Sequence, residues 1–135
     1  MKINPSLIIP MVALLAITAP TAKADGPDGG KVYADNNCVV CHQANGAGVP
    51  GSFPALMGSP VVSGDADTVI KIILVGPEKV LPASSPKYTG KMPPVPPLSD
   101  AKIAALVTYI RAKFGNGASA VTEDDVTRVK ASLAQ

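Results

Sequence analysis

The chain has no tryptophan, a single histidine and two cysteines, and its aromatic residues are three tyrosines and two phenylalanines among 135 residues. Two cysteines cannot build a disulfide framework. Together with one histidine they fall short of the four ligands of a Cys/His zinc site. The net charge of +2 excludes the strong basic field that nucleic-acid binding draws on. No apolar run reaches the 18 or so uninterrupted residues of a membrane span. Charged residues make up only 16% of the chain and hydrophobic ones 47%, which rules out a disordered chain. The length suits one domain. A small domain so poor in aromatics has difficulty filling a core, and something other than side chains is expected to help fill it.

The amino terminus reads as an address. Lys2 supplies a positive start, Leu7 to Ala16 an apolar stretch, and Ala22-Lys23-Ala24 a small-x-small cleavage pattern. Residues 1–24 are therefore expected to be a cleaved secretory signal peptide, and residues 25–135 the working domain. The rival, an uncleaved anchor, is disfavoured by Pro5, Pro10 and Pro20. Cleavage removes Lys2 and Lys23 and leaves a formally neutral chain with no membrane span. It also implies an oxidising, periplasmic location, where two thiols need a partner or a covalent use.

That use is visible in Cys38-Val39-Val40-Cys41-His42, which holds both cysteines and the only histidine. C-x-x-C-H is the attachment sequence of c-type haem. Two thiols at this spacing can each form a thioether with one of the two porphyrin vinyl groups, and the adjacent imidazole then meets the iron. A thioredoxin-like pair would require a preceding strand, whereas Gly30 to Asn37 reads as a short helix. A plain Cys38–Cys41 disulfide would leave His42 unexplained. One covalently bound haem c is the expected cofactor.

The sixth iron position calls for a soft ligand if the haem is to carry electrons. Beyond the signal, the methionines are Met57 and Met92. Met92 is preferred because Tyr88-Thr89-Gly90-Lys91-Met92-Pro93-Pro94 is a proline-stiffened segment with little entropy to lose. Met57 follows Leu56 in an apolar patch and reads as a gap-filler. A chain without a methionine ligand is the third possibility. Pro77, Pro82, Pro86, Pro93, Pro94, Pro96 and Pro97 forbid a helix across this region, so a long functional loop over one haem face is expected. Lys79, Lys87 and Lys91 lie in that loop, either as a basic collar for acidic partners or as ordinary solvated lysines.

Helices are expected to frame the site. The first starts at Pro27 or Asp28. Ser63 to Asp65 caps a second with Val69, Ile70, Ile73 and Leu74 at helical spacing. A third starts at Ser99, with Leu98 and Ile103 as a hydrophobic staple and Ile103, Leu106, Val107, Ile110 and Phe114 on one face; Gly115-Asn116-Gly117 stops it. Thr122 opens a fourth short helix, with Val121 and Val126 repeating the staple. No strand, repeat or phosphate-binding glycine motif is evident.

With an N-terminal C-x-x-C-H, a downstream methionine and a C-terminal helix, the chain resembles the class I monohaem cytochromes c over nearly all of residues 25–135. The resemblance implies an all-α, small cytochrome c fold with three to five helices wrapped around one covalently bound haem. Gly30 and Tyr33 match the glycine and aromatic where the family's N-terminal helix crosses the C-terminal one, and Tyr109 matches the aromatic of the latter. One residue more than usual separates Tyr33 from Cys38. Pro54-Ala55-Leu56 matches the family's Pro-x-Leu, which implies that the Pro54 carbonyl accepts the ring hydrogen bond of His42. His42 and Met92 are then the axial ligands of the iron. Residues 45–54, 88–93 and 98–116 are similar to cytochrome subunits and domains serving periplasmic alcohol and sugar dehydrogenases or nitrite reductases.

The implied function is one-electron transfer between a dehydrogenase or reductase and the respiratory chain, with no catalytic side chain, by a monomer or loosely associated chain. Redox partner proteins of the dehydrogenase, nitrite reductase or terminal oxidase kind are expected. The alternatives are a fixed cytochrome subunit of a multi-subunit dehydrogenase, or a haem enzyme or gas sensor with an open iron position. Because the haem is expected to complete the core, folding should depend on its attachment. The Cys38→Ala/Cys41→Ala protein is predicted to be largely unfolded; a native-like far-UV circular dichroism spectrum from it would refute this.

Overall fold

The computed structural model describes residues 26–135, and the expected signal peptide of residues 1–24 lies outside them. The described residues form six helices: α1 (Gly29–Asp35), α2 (Cys38–His42), α3 (Pro60–Ser63), α4 (Ala66–Val75), α5 (Asp100–Phe114) and α6 (Glu123–Leu133). A single 3-10 turn occupies Pro77–Lys79. No strand occurs among the described residues; one isolated bridge joins Val49 to Phe53. The architecture is all-α. Its helix number exceeds the expected three to five because α2 and α3 span little more than a turn, too short to show a period.

The four helices read from the sequence start where their caps predict. Asp28 accepts the backbone N–H groups of Gly30 and Lys31. Asp65 takes that of Thr68, while Ser63 closes α3. Ser99 accepts from Lys102. Thr122 and Asp125 form a reciprocal capping box, each side chain accepting the other's backbone N–H.

The core is one cluster drawn from five of the helices. Helix α5 supplies more of it than any other helix, with Leu106 and Val107 fully buried, and Val32, Tyr33, Ile70, Ile73, Val126 and Val129 close around it. Three of the few aromatic rings gather at one place. Tyr33 lies 5.6 Å from Tyr109 and 5.8 Å from Phe114, and these two stand edge-on at 6.0 Å. The rest of the core is aliphatic. The crossing of α1 over α5 depends on Gly29 more than on Gly30. A Cβ on Gly29 would stand 2.1 Å from the Ala105 carbonyl oxygen, whereas one on Gly30 would stand 3.0 Å from the Tyr109 ring edge.

Arg111, which the sequence reading did not single out, is buried with 3% exposure. Its guanidinium donates to the carbonyls of Val62 at 3.0 Å, Gly64 at 2.8 Å and Ser119 at 3.0 Å, and to the Ser119 hydroxyl at 3.2 Å. It therefore ties the end of α3 and the α5–α6 connection to α5. At the surface, Arg128 of α6 bonds Asp67 of α4 and its own neighbour Asp125, and Lys130 bonds Asp100 of α5.

Two outcomes follow. Arg111→Ala strands the buried Val62 carbonyl, takes a donor from those of Gly64 and Ser119, and should cost about 3 kcal/mol. Thermal unfolding of the haem-loaded protein measures this, and an unchanged midpoint would contradict it. The Asp125 carboxyl is held down at about 2, first by the Thr122 backbone N–H and hydroxyl and then by Arg128. A depressed carboxyl contributes stability above its unfolded value and loses it as the pH falls through the folded one. The start of α6 should therefore fray between about pH 4 and pH 2, seen as faster amide exchange there, and Asp125→Asn should remove that acid dependence.

Candidate functional site

The attachment sequence is itself a helical turn. Cys38, Cys41 and His42 stand at i, i+3 and i+4, so α2 brings both thiols and the imidazole to one face. Val39 turns against the core, and Val40 is exposed. Asn37, in the left-handed conformation at φ 59°, makes the bend between α1 and α2. In this bend Asn36 caps α1 by donating its side-chain amide to the Val32 carbonyl, and the Tyr33 hydroxyl reaches the Gln43 carbonyl at 2.9 Å.

Both cysteines are free and half-buried. Burial pushes the Cys38 thiol up, and Cys41 nearby adds to this. Burial also raises the Tyr33 phenol well above its ordinary value, which keeps it a donor to Gln43. His42 is buried, with Nδ1 3.0 Å from the Pro54 carbonyl oxygen. A carbonyl only accepts, so Nδ1 is the donor, and in the neutral ring the lone pair is then on Nε2. Gly48 makes this approach possible: it sits at φ +62°, donates to the His42 carbonyl, and a Cβ there would stand 2.5 Å from the Pro54 oxygen. The donor set fits a c-type haem: two unpaired thiols one helical turn apart and an imidazole with a free nitrogen.

Met92 is half-buried against the core on the long loop between α4 and α5. Apart from the 3-10 turn, that loop is irregular from Gly76 to Ser99, as its prolines require. Met57 is 57% exposed, so it is not the core gap-filler its apolar neighbours suggested. It stands in the turn after Leu56, whose backbone N–H, like that of Met57, is taken by the Gly46 carbonyl. Lys79, Lys87 and Lys91 are exposed, and Lys91 pairs with Glu78 at 3.2 Å, which reduces the free positive charge of this loop.

The functional residues missed in the sequence are glycines and a backbone link. Gly46 lies against the Phe114 ring, where a Cβ would come within 2.6 Å, and Gly90 lies against Phe53. Thr89 and Gly90 donate to the Gly51 and Ser52 carbonyls. A glycine-rich composition announced turns, but not which glycines face a ring.

Comparison with known proteins agrees with this arrangement. The family model for cytochrome c matches residues 27–113. Cytochrome c-552 of Thermus thermophilus is 33% identical over 113 residues, covering 77% of this chain and 85% of that protein. The cytochrome c subunit of the quinone-dependent alcohol dehydrogenase of Gluconobacter oxydans is 33% identical over 107 residues, covering 78% of this chain but 22% of the subunit. The fructose dehydrogenase cytochrome subunit of Gluconobacter japonicus is 31% identical over 113 residues, with 77% and 22% covered. The matched region runs from α1 through nearly all of α5 with the attachment turn inside it, and the chain belongs to the cytochrome c family, electron-transfer proteins that carry covalently bound haem c.

Proposed function

We propose that the chain is a periplasmic one-electron carrier, not an enzyme, that exchanges electrons between a dehydrogenase or reductase and the respiratory chain, with His42 and Met92 as the axial ligands of its haem. The observation that carries this reading is the tie between the two loops: Thr89 and Gly90, just before Met92, donate to the Gly51 and Ser52 carbonyls, in the segment that leads to Pro54 and so to His42. The periplasmic location rests on the signal-like residues 1–24. Among the described residues no helix is long and apolar enough to cross a membrane.

The haem supplies an iron that gains and loses one electron. The residues of the chain do the rest. Cys38 and Cys41 tether the group. His42 Nε2 is presented with its tautomer set by Pro54. The thioether of Met92 would serve as the second iron ligand, a choice that favours the ferrous state. No side chain is asked to move a proton. Lys79 and Lys87 remain available to acidic partners, and Lys91 is partly neutralised by Glu78.

A second reading, a fixed subunit of a larger dehydrogenase, is favoured by the relatives that are dehydrogenase cytochrome subunits. Co-purification with a catalytic chain distinguishes it. The deciding spectrum for the carrier is taken on the reduced protein before and after carbon monoxide. An unchanged c-type spectrum is the expected result. Rapid carbon monoxide binding would mean an open iron position and would remove Met92 from its role.

A further inference from the structure

The loop that bears Met92 is pinned at two points close to it. On one side Thr89 and Gly90 donate their backbone N–H groups to the Gly51 and Ser52 carbonyls, each at 3.0 Å. On the other side Val95 donates to the Ile73 carbonyl at 3.0 Å. Between these pins lie Lys91, Met92, Pro93 and Pro94, and the two prolines leave the span little freedom. A displacement of Gly90 therefore carries Met92 with it.

At the first pin the two loops meet in close contact. The Phe53 ring lies across Gly90, and a Cβ there would stand 2.0 Å from Cε1, 2.5 Å from Cδ1 and 2.8 Å from Cζ. Carbon atoms in contact prefer about 3.5–4.0 Å. Gly90 is not among the glycines at positive φ. Its need for glycine is therefore one of space alone, unlike that of Gly48. Phe53 directly precedes Pro54, whose carbonyl holds the His42 ring. The ring thus sits between the segment that orients one proposed axial ligand and the segment that carries the other.

We propose that Phe53 and Gly90 form a steric lock that sets the position of Met92 relative to His42, which makes Gly90 a positioning residue for the sixth iron ligand. The proposal rests on Met92 being that ligand.

The test uses the haem-loaded full chain with Gly90→Ala, Phe53→Ala, their combination, and Met92→Ala. The readouts are the ferric absorption band that arises from methionine sulfur, the reduction potential, carbon monoxide binding by the reduced form, and amide exchange at positions 89, 90 and 95. Gly90→Ala should lose the band, lower the potential, admit carbon monoxide and speed exchange at positions 89 and 90. Position 95 should stay protected, as a sign that the fold is intact. Once Phe53→Ala has removed the ring, adding Gly90→Ala should change nothing further. A Gly90→Ala protein that keeps its band and potential overturns the lock, as does a double variant that carries the added damage without the ring. If Gly90→Ala does not yield folded protein, the double variant decides alone: folding as well as Phe53→Ala supports the lock, and failing to do so overturns it. A band that survives Met92→Ala refutes the ligand assignment itself. A band lost with Met92→Ala but kept with Gly90→Ala refutes only the lock.

Discussion

The seating of α1 on α5 is the contact from which the site is built. Because Gly29 has no side chain, the backbone of α1 comes against the Ala105 carbonyl and the base of Tyr109. That closeness buries Tyr33 between Tyr109 and Phe114 and aims its hydroxyl at the Gln43 carbonyl. Gln43 is the residue after His42, so a helix crossing remote from the iron position sets the end of the attachment turn. From there the chain folds back through Gly46 and Gly48 to bring Pro54 to the imidazole. Each step is a short-range steric or hydrogen-bonding requirement, and each rests on the one before it.

The polar links of the molecule divide by strength. Those that tie α6 to α4 and α5 are the Arg128–Asp67 and Lys130–Asp100 ion pairs and the Thr127–Asp100 hydrogen bond, at partly exposed side chains where solvent and salt weaken them. Arg111 itself is buried, and its hold on Val62, Gly64 and Ser119 is directed at backbone oxygens. The burial of Val126 and Val129, rather than the charges around them, accounts for most of the attachment of α6.

What was legible in the sequence was local chemistry. Cys38, Cys41 and His42 could be read because attachment demands adjacent residues on one turn. The starts of α5 and α6 could be read because caps and staples span only a few positions, as Leu98 with Ile103 and Val121 with Val126 show. Less legible were contacts between a side chain and a distant backbone. Arg111 meets carbonyls nearly fifty residues away, and a carbonyl is common to every residue and leaves no mark in the sequence. The choice of Gly29 over Gly30 was hidden because both suit a helix crossing, and only the phase of α1 on α5 separates them. The exposure of Met57 leaves no mark in the sequence, because its apolar neighbours Ala55 and Leu56 do not reveal that the chain turns outward there.

Two of the close-approach glycines, Gly29 and Gly90, differ in how they can drift over evolutionary time. Gly29 is opposed by a carbonyl oxygen, an atom that no substitution at position 105 removes. No change elsewhere easily compensates a larger residue at position 29, and that position is closed to variation while the crossing lasts. Gly90 is opposed by a side chain, and side chains are replaceable. A lineage that exchanges Phe53 for something smaller opens position 90 to new residues, and with it the loop over the haem. The helix crossing is thus the part of this molecule that descent must keep, and the loop contact is the part that it can renegotiate in pairs.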